Sequence, residues 1–197
     1  MKRFIVFDGI DGAGKTLLAK MLAGYLRKKG EKVVLTHEPQ TDTKLGKYLS
    51  AALREKNPPS TEELLKLFTA DRKDHLRRVI IPAIRSGKIV ICDRYYYSTL
   101  AYQLEKKDWD GYIKKSLKPA IAFICDLPAG MAMKRINLSI KKNERKSGKK
   151  AVYEKTSFLG KLRKKFLAMK SFEEVRIIDT KPSPSEIMPV IIKELGI

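Results

Sequence analysis

Short apolar runs alternate along the chain with longer stretches in which apolar residues recur every three or four positions. The short runs are rich in β-branched residues, as expected of buried strands, and the longer ones are typical of amphipathic helices. Strands are predicted at residues 3–7, 32–36, 89–92, 120–125 and 175–178. Because helical stretches separate them, the pattern indicates an α/β fold with a five-stranded parallel sheet flanked by helices.

Long helices are predicted over residues 15–29, 61–86 and 154–170. Gly30 and Gly87 follow the first two, where glycine commonly ends a helix, and Ser60 precedes Glu63 by three residues as a capping box. Pro82 lies inside the second predicted helix. Its ring clashes with the preceding turn of a helix, so we expect a kink there.

The composition favours a single globular domain over residues 1–197. A chain of 197 residues with 43% apolar composition can fill one core. No run approaches the roughly 20 apolar residues of a membrane span, and no signal peptide is recognised, so we expect a cytoplasmic protein without membrane contact. Cys92 and Cys125 lie within predicted strands, which favours buried thiols over a disulfide or a metal site.

The net charge of +20 predicts attraction to polyanions or phosphorylated ligands. Basic residues are densest between residues 141 and 165, and the Lys-rich stretch 141–150 is typical of a flexible surface loop. Such a segment suits either a nucleic-acid surface or a lid that closes over phosphates. The charge alone leaves both interpretations open.

The segment FDGIDGAGKT carries a complete phosphate-binding motif, GxxxxGK[ST], between a predicted strand and a predicted helix. Its glycines permit a tight turn whose backbone N–H groups face an anion, and Lys15 can bridge the outer phosphates of a triphosphate. Thr16 supplies a hydroxyl for Mg²⁺, the expected cofactor of bound ATP. The expected ATP-binding residues are Gly9, Ile10, Asp11, Gly12, Ala13, Gly14, Lys15, Thr16 and Leu17.

Asp93 and Arg94 follow the third predicted strand, at the carboxyl edge where open α/β sheets bind ligands. Asp93 is expected to act with Thr16 through the metal, and Arg94 to hold a phosphate. An Asp-Arg pair after a strand is often a surface ion pair, but phosphoryl transfer requires clustered metal ligands and cations near the phosphate loop. We therefore predict that both residues are catalytic, together with Lys15.

Three segments carry a resemblance to a known family. They are the phosphate loop, residues 67–103 with LFTADRKDH, PAI and DRYYYSTLAYQ, and residues 153–166 with YEKTSFLGKLRKKF. They are similar to the FEGxDGxGKT loop, to the LFxADRxxH, PAL and DRYxxSxxAYQ block, and to the helix after the lid of thymidylate kinases. The resemblance implies a P-loop nucleoside monophosphate kinase fold, transfer of the γ-phosphate of ATP to dTMP to give dTDP and ADP, and a homodimer.

The same resemblance implies an acceptor site. The ring of Phe68 would stack on thymine and Arg72 would hydrogen-bond the base, while Arg94 would bind the acceptor phosphate. Asp11 would hold the sugar 3′-hydroxyl and Tyr102 would pack beneath the sugar. The helical spacing of the apolar residues alone favours an ordinary core position for Phe68. The implied dTMP-binding residues are Asp11, Glu38, Phe68, Arg72, Arg94, Ser98, Thr99 and Tyr102.

The chain departs from the family pattern after the second predicted strand. It reads THEPQT where many relatives read REPGGT, so that His37 replaces an arginine. Because a histidine is partly neutral near pH 7, contacts to the acceptor phosphate or the metal are expected to be weaker or rearranged. A lone histidine is more often structural, and a direct role of His37 is the minor alternative.

A second departure concerns the catalytic cation. Ala13 occupies the loop position where one subgroup of the family has arginine, which implies a cation supplied by the lid, expected at about residues 141–153. The lid offers Arg145, Lys149 and Lys150. We include Arg145 and Lys150 among the predicted catalytic residues, although a lysine cannot form the bidentate fork of an arginine.

Two alternative functions remain open from the sequence. The acceptor could be another (deoxy)nucleoside monophosphate, such as dUMP. A nucleic-acid-binding P-loop ATPase would explain the charge and predicts salt-sensitive binding to DNA or RNA. The block at residues 67–103 specifies a mononucleotide pocket instead, so the expected partners are ATP and dTMP rather than nucleic acid.

Overall fold

A parallel sheet forms the centre of the protein, which a computed structural model describes for residues 3–55, 57–141 and 156–197. Its strands lie in the order β2-β3-β1-β4-β5. The predicted α/β class and all five predicted strands are confirmed, each within two residues of its predicted ends. The strands are β1 (Phe4–Gly9), β2 (Val33–His37), β3 (Ile89–Asp93), β4 (Ile121–Asp126) and β5 (Val175–Asp179).

The central strand β1 pairs with β3 on one side and with β4 on the other. All of its residues are buried, as expected of an apolar strand covered by helices on both faces of a parallel sheet. Phe7 lies opposite Asp93 and Gly9 lies opposite Cys125 in the register. The phosphate loop after β1 and the polar residues after β3 therefore leave the sheet at the same edge.

Nine α-helices are present in the described parts of the chain. The capping box predicted at Ser60 and Glu63 is confirmed at the start of α3. No helix in the described ranges combines the length and apolar character that crossing a membrane requires. The helices are α1 (Lys15–Lys28), α2 (Lys44–Ala52), α3 (Thr61–His75), α4 (Ile81–Arg85), α5 (Tyr96–Tyr102), α6 (Trp109–Ile113), α7 (Ala129–Lys141), α8 (Thr156–Ala168) and α9 (Pro184–Leu195).

The helix predicted over residues 61–86 is not one continuous α-helix. A π-helical turn, Leu76–Ile80, separates α3 from α4, and Pro82 lies in the first turn of α4. Proline has no N–H to donate to the carbonyl four residues earlier, so a regular α-helical bond to Arg78 is impossible. A wider turn just before the proline accommodates this, and we find it where the kink was predicted.

Cys92 and Cys125 are buried within β3 and β4 as free thiols, which confirms the prediction of burial. Burial raises the pKa of both thiols above the usual range, to about 12 for Cys125. A thiol that resists ionisation is a poor nucleophile and a poor metal ligand. Both residues therefore belong to the core, and the Cys92 thiol donates a 3.0 Å hydrogen bond to the carbonyl oxygen of Arg94.

Candidate active site

The phosphate loop is shaped by two glycines that have no room for a side chain. Gly9 has a φ of +136°, and a Cβ there would lie 2.5 Å from the carbonyl oxygen of Cys125. Gly12 has a φ of +79°, and its Cβ would lie 2.6 Å from the carbonyl oxygen of Ala132. The loop therefore packs its backbone directly on β4 and α7, which holds its N–H groups in a fixed curve at the start of α1.

Lys15 is buried at the start of α1, and its Nζ donates a hydrogen bond of 2.8 Å to the carbonyl oxygen of Ile10. Burial lowers the pKa of Lys15, and the nearby Arg94 lowers it further, while carboxylates such as that of Asp11 oppose this shift. A desolvated ammonium group gains when an anion binds beside it. Lys15 is therefore suited to hold a phosphate.

Thr16 and Asp93 form the pair expected to bind the metal. The Thr16 hydroxyl donates a hydrogen bond to Oδ2 of Asp93. Oδ1 of Asp93 is buried and has no hydrogen-bond partner among the described residues. Buried oxygens without a partner are uncommon, and a hydroxyl beside a carboxylate is a donor set that Mg²⁺ prefers. These two residues therefore fit the metal that the sequence implies.

Arg94 connects the phosphate loop to α5. Its Nη2 donates a 2.6 Å hydrogen bond to Asp11, its Nη1 donates a 2.9 Å bond to Ser98, and its guanidinium lies 5.9 Å from the ring centre of Tyr102. Burial acts to lower the pKa of Arg94, but Asp11 and other acidic groups raise it, and the net shift is upward. Three predicted site residues thus surround the permanent positive charge of a fourth, Arg94.

The backbone of Arg94 is strained, with a φ of +71°. For a residue with a side chain, this left-handed conformation costs on the order of 1 kcal/mol or more. The backbone that follows Arg94 is held by Asp8, whose buried carboxylate accepts hydrogen bonds from the backbone N–H groups of Gly9, Tyr95 and Ser98 at 2.9, 3.0 and 2.9 Å. Burial raises the pKa of Asp8, while Arg94 and these N–H groups oppose that shift.

Arg72 is the centre of a second cluster, and it is only 4% exposed. Its Nε and Nη2 lie 2.8 and 2.7 Å from Oε2 of Glu38. Its Nη1 donates to the hydroxyls of Thr99 and Tyr112 at 3.1 and 2.9 Å. The guanidinium also lies 5.1 Å from the ring centre of Tyr95. Three predicted acceptor-site residues are thus brought together, and Tyr112 is a partner that the sequence did not suggest.

A buried histidine, His75, contacts the carboxylate of Glu38. Oε1 of Glu38 lies 3.2 Å from Nδ1 of His75, whose Nε2 lies 2.7 Å from the Thr36 hydroxyl. His37 has a different setting, because it is exposed and its ring contacts the carbonyl of Pro39 and the Thr41 hydroxyl. His37 therefore makes local turn contacts, which agrees with the structural interpretation of this residue.

Phe68 lies one helical turn before Arg72 on α3, and the spacing of four residues puts both side chains on one face. Its ring is half-buried and does not belong to the hydrophobic core. The core position favoured by periodicity is therefore not what the structure shows. The remaining loop residues contribute backbone rather than side chains, since Ile10 and Ala13 are buried in the core, and Leu17 is half exposed.

A cleft of about 900 Å³ begins at the phosphate loop, Asp93 and Arg94, and extends between α7 and the segment after β5. Arg135 of α7 lines it and donates a 2.8 Å hydrogen bond to the carbonyl oxygen of Thr180, and Pro182 lies beside them. No sequence motif singles out these residues. The signal that could have found them is their position after the carboxyl ends of β4 and β5, where open α/β sheets bind ligands.

The predicted lid cations Arg145, Lys149 and Lys150 lie outside the described residues, as does most of the lid expected at about residues 141–153. The described chain ends at residue 141 in α7 and resumes at residue 156 in α8. The two helices pack against each other, and Arg163 of α8 pairs with Asp126 at the end of β4 at 2.6 Å.

Comparison with known proteins gives one consistent family. A family model described as thymidylate kinase matches residues 7–191. A probable thymidylate kinase of Pyrococcus horikoshii is 38% identical over 200 residues, which cover 96% of this chain and 93% of the relative. One of Thermococcus onnurineus is 37% identical, covering 93% and 92%. A thymidylate kinase of Desulfotalea psychrophila is 48% identical over 101 residues, covering 51% of this chain and 50% of its own length.

Proposed function

The chain belongs to the thymidylate kinase family, and from this premise we propose that it transfers the γ-phosphate of ATP to dTMP, giving dTDP and ADP. The observation that carries the proposal is the meeting of two clusters at one edge of the sheet. Lys15, Thr16 and Asp93 suit a metal-bound triphosphate, and Arg94 stands between them and the cluster around Arg72.

The donor would lie along the cleft that begins at the phosphate loop. Its phosphates would contact the loop N–H groups and Lys15, and its base would lie between Arg135 and the Thr180–Pro182 segment. A cleft of about 900 Å³ has room for a nucleotide. Planar guanidinium groups stack on aromatic bases, which suits Arg135 to this role.

The acceptor would lie on the other side of Arg94. Arg94 would bind the acceptor phosphate, Arg72 would donate to a base carbonyl, and Phe68 would stack on the base. Stacking on an aromatic ring contributes ~1 to 3 kcal/mol per base. Tyr102, whose ring packs beside Arg94, would contact the sugar, and Asp11 would accept from its 3′-hydroxyl.

The chemistry needs no covalent intermediate, because the acceptor phosphate oxygen attacks the γ-phosphorus in line and ADP leaves. Lys15 and Arg94 would neutralise the oxygens on which charge develops, and the fixed loop N–H groups would do the same without reorganisation. Mg²⁺, held by Thr16 and Asp93, would supply further charge neutralisation of the phosphates. Closure of a lid would exclude water and so suppress hydrolysis of ATP.

A panel of acceptors tests this function. Purified protein is mixed with Mg-ATP and single nucleoside monophosphates, and ADP and the diphosphate products are separated by chromatography. We expect selective formation of dTDP from dTMP. Faster turnover of dUMP would identify a different monophosphate kinase. ATP hydrolysis that depends on added DNA or RNA, without transfer to any monophosphate, would replace the proposal by the polymer-stimulated ATPase.

The metal role predicts a specific defect in Thr16→Ala. Loss of the hydroxyl should lower kcat by about 100-fold and raise the Mg²⁺ concentration needed for half-maximal activity, because Asp93 then lacks its partner ligand. Thr16→Ser keeps the hydroxyl and should retain most of the activity. The measurement is a Mg²⁺ titration of initial rates for all three proteins. Equal Mg²⁺ dependence in Thr16→Ala and the unmodified protein would contradict the assignment.

We also propose a homodimer, a cytoplasmic location and a single kinase domain with a lid at about residues 141–153. The support for these is the family resemblance. Light scattering after size exclusion would report a mass near twice 22.5 kDa for a dimer.

Within the lid, the catalytic cation is proposed to be Arg145 or Lys150, and separate alanine substitutions would distinguish the two.

A further inference from the structure

Tyr112 is a half-buried residue of α6 that belongs to no motif of the sequence. Its helix is fixed to α5 by Trp109, whose Nε1 donates a 3.0 Å hydrogen bond to the carbonyl oxygen of Leu100. From this position, the Tyr112 hydroxyl reaches Arg72 on α3 and also lies 3.0 Å from the Thr69 hydroxyl. It therefore joins α6 to the helix that carries Phe68 and Arg72.

The proton positions in this contact follow from the partners. The Thr69 hydroxyl has one hydrogen, and it donates that hydrogen to the carbonyl oxygen of Leu65 at 2.7 Å. Thr69 can then only accept from Tyr112, so the one hydrogen of the Tyr112 hydroxyl points to Thr69. A lone pair of Tyr112 remains for Arg72, which can only donate. The hydrogen bonds run in one direction, from Arg72 through Tyr112 and Thr69 to Leu65.

This direction determines how the N–H groups of Arg72 are shared among its partners. A guanidinium has five N–H groups. One on Nε and one on Nη2 face Glu38, and the two on Nη1 face Thr99 and Tyr112. The fifth is on Nη2. Because Tyr112 accepts the second hydrogen of Nη1, the guanidinium cannot rotate without breaking a hydrogen bond that it donates to Glu38, Thr99 or Tyr112.

We propose that Tyr112 is a positioning residue for the acceptor, which orients Arg72 so that a single N–H group is presented to a pyrimidine carbonyl. This inference rests on the proposed function, because it concerns the base that Arg72 binds. An arginine presented in this way favours a base with a carbonyl at the contacted position and disfavours one with an amino group there. Tyr112 acts through Arg72 and does not take part in phosphoryl transfer.

Tyr112→Phe tests the proposal, because it removes the hydroxyl and keeps the ring. We expect KM and Kd for dTMP to rise about tenfold, with kcat changed less than about twofold and KM for ATP unchanged. Tyr25→Phe, in a half-buried tyrosine of α1, is the matched control and should leave all constants unchanged. Kd is measured by calorimetry without ATP, and the melting temperature of each variant is recorded.

Thr69→Val provides a second, independent test. It removes the acceptor that fixes the Tyr112 hydrogen, so a smaller rise in KM for dTMP, about threefold, is expected. Since both variants disrupt one chain of hydrogen bonds, the double variant should be no worse than Tyr112→Phe alone. Additive effects would show that the two residues act separately and would overturn the proposal.

The outcomes separate this inference from the proposed function. If the unmodified protein phosphorylates dTMP but Tyr112→Phe keeps its KM and Kd, the positioning role is wrong and the function stands. A fall in kcat and melting temperature with unchanged KM would indicate a merely structural role and would also overturn it. If the unmodified protein neither binds nor phosphorylates dTMP, both proposals fail.

Discussion

Arg94→Ala is expected to lower kcat/KM for dTMP by about 10³-fold. The guanidinium is in contact with Asp11, Ser98 and Tyr102, and it lies between the phosphate loop and the cluster around Arg72. It is therefore the group best placed to neutralise charge on both the donor and the acceptor phosphates. Steady-state kinetics with dTMP varied at saturating ATP measures the loss.

Two companion variants identify the cause of that loss. Arg94→Gly removes the guanidinium but relieves the strained φ of +71°, since glycine adopts this conformation without a steric penalty. Arg94→Gly should be as inactive as Arg94→Ala, and its free energy of unfolding should be at least as large as that of Arg94→Ala. Arg85→Ala, at an exposed position at the end of α4, is the matched arginine control and should be fully active. An active Arg94→Gly enzyme would contradict the catalytic role of the side chain.

Lys15→Met is expected to lower kcat by about 10³-fold and yet leave the protein no less stable than before. The side chain is buried, and desolvation is the main reason why its pKa is lowered. A depressed pKa in an ammonium group means that the fold disfavours its charge, so replacing the charge by an apolar group of similar length removes an unfavourable term. Activity and stability should therefore change independently.

Thermal unfolding and ATP turnover together test this prediction. Lys28→Met, at an exposed position at the end of α1, should change neither quantity. A large fall in the melting temperature of Lys15→Met would show that Lys15 is needed for folding, through its hydrogen bond to Ile10, rather than kept for phosphate binding. Normal turnover in Lys15→Met would contradict the assignment of the phosphate loop.

The strands and the phosphate loop were predictable because their signals are local. A strand buried on both faces needs an unbroken apolar run, and a loop whose backbone packs directly on β4 and α7 needs glycine at positions 9 and 12. The order of the strands was not predictable, because it depends on pairings between residues about 50 to 120 positions apart. The place of Asp93 beside Thr16 was inferred only through a general rule about sheet edges.

The proposed acceptor site shows where local patterns fail. Periodicity favoured a core position for Phe68, since a half-buried aromatic residue of a binding surface and a core aromatic residue repeat at the same helical spacing. Asp8, His75 and Tyr112 were missed for a related reason. Their roles depend on partners distant in sequence, such as Ser98 for Asp8 and Arg72 for Tyr112, and no short pattern contains both members of these pairs.

The position of Trp109 gives this protein an intrinsic optical probe. It is the single tryptophan of the chain, it is buried, and its indole N–H is bonded to α5 while its helix carries Tyr112. Tryptophan emission therefore arises from one site, between two helices whose residues Thr99 and Tyr112 bind Arg72. Any movement of α5 against α6 changes the environment of that indole, so stopped-flow fluorescence can follow the site in real time without a dye or an engineered label.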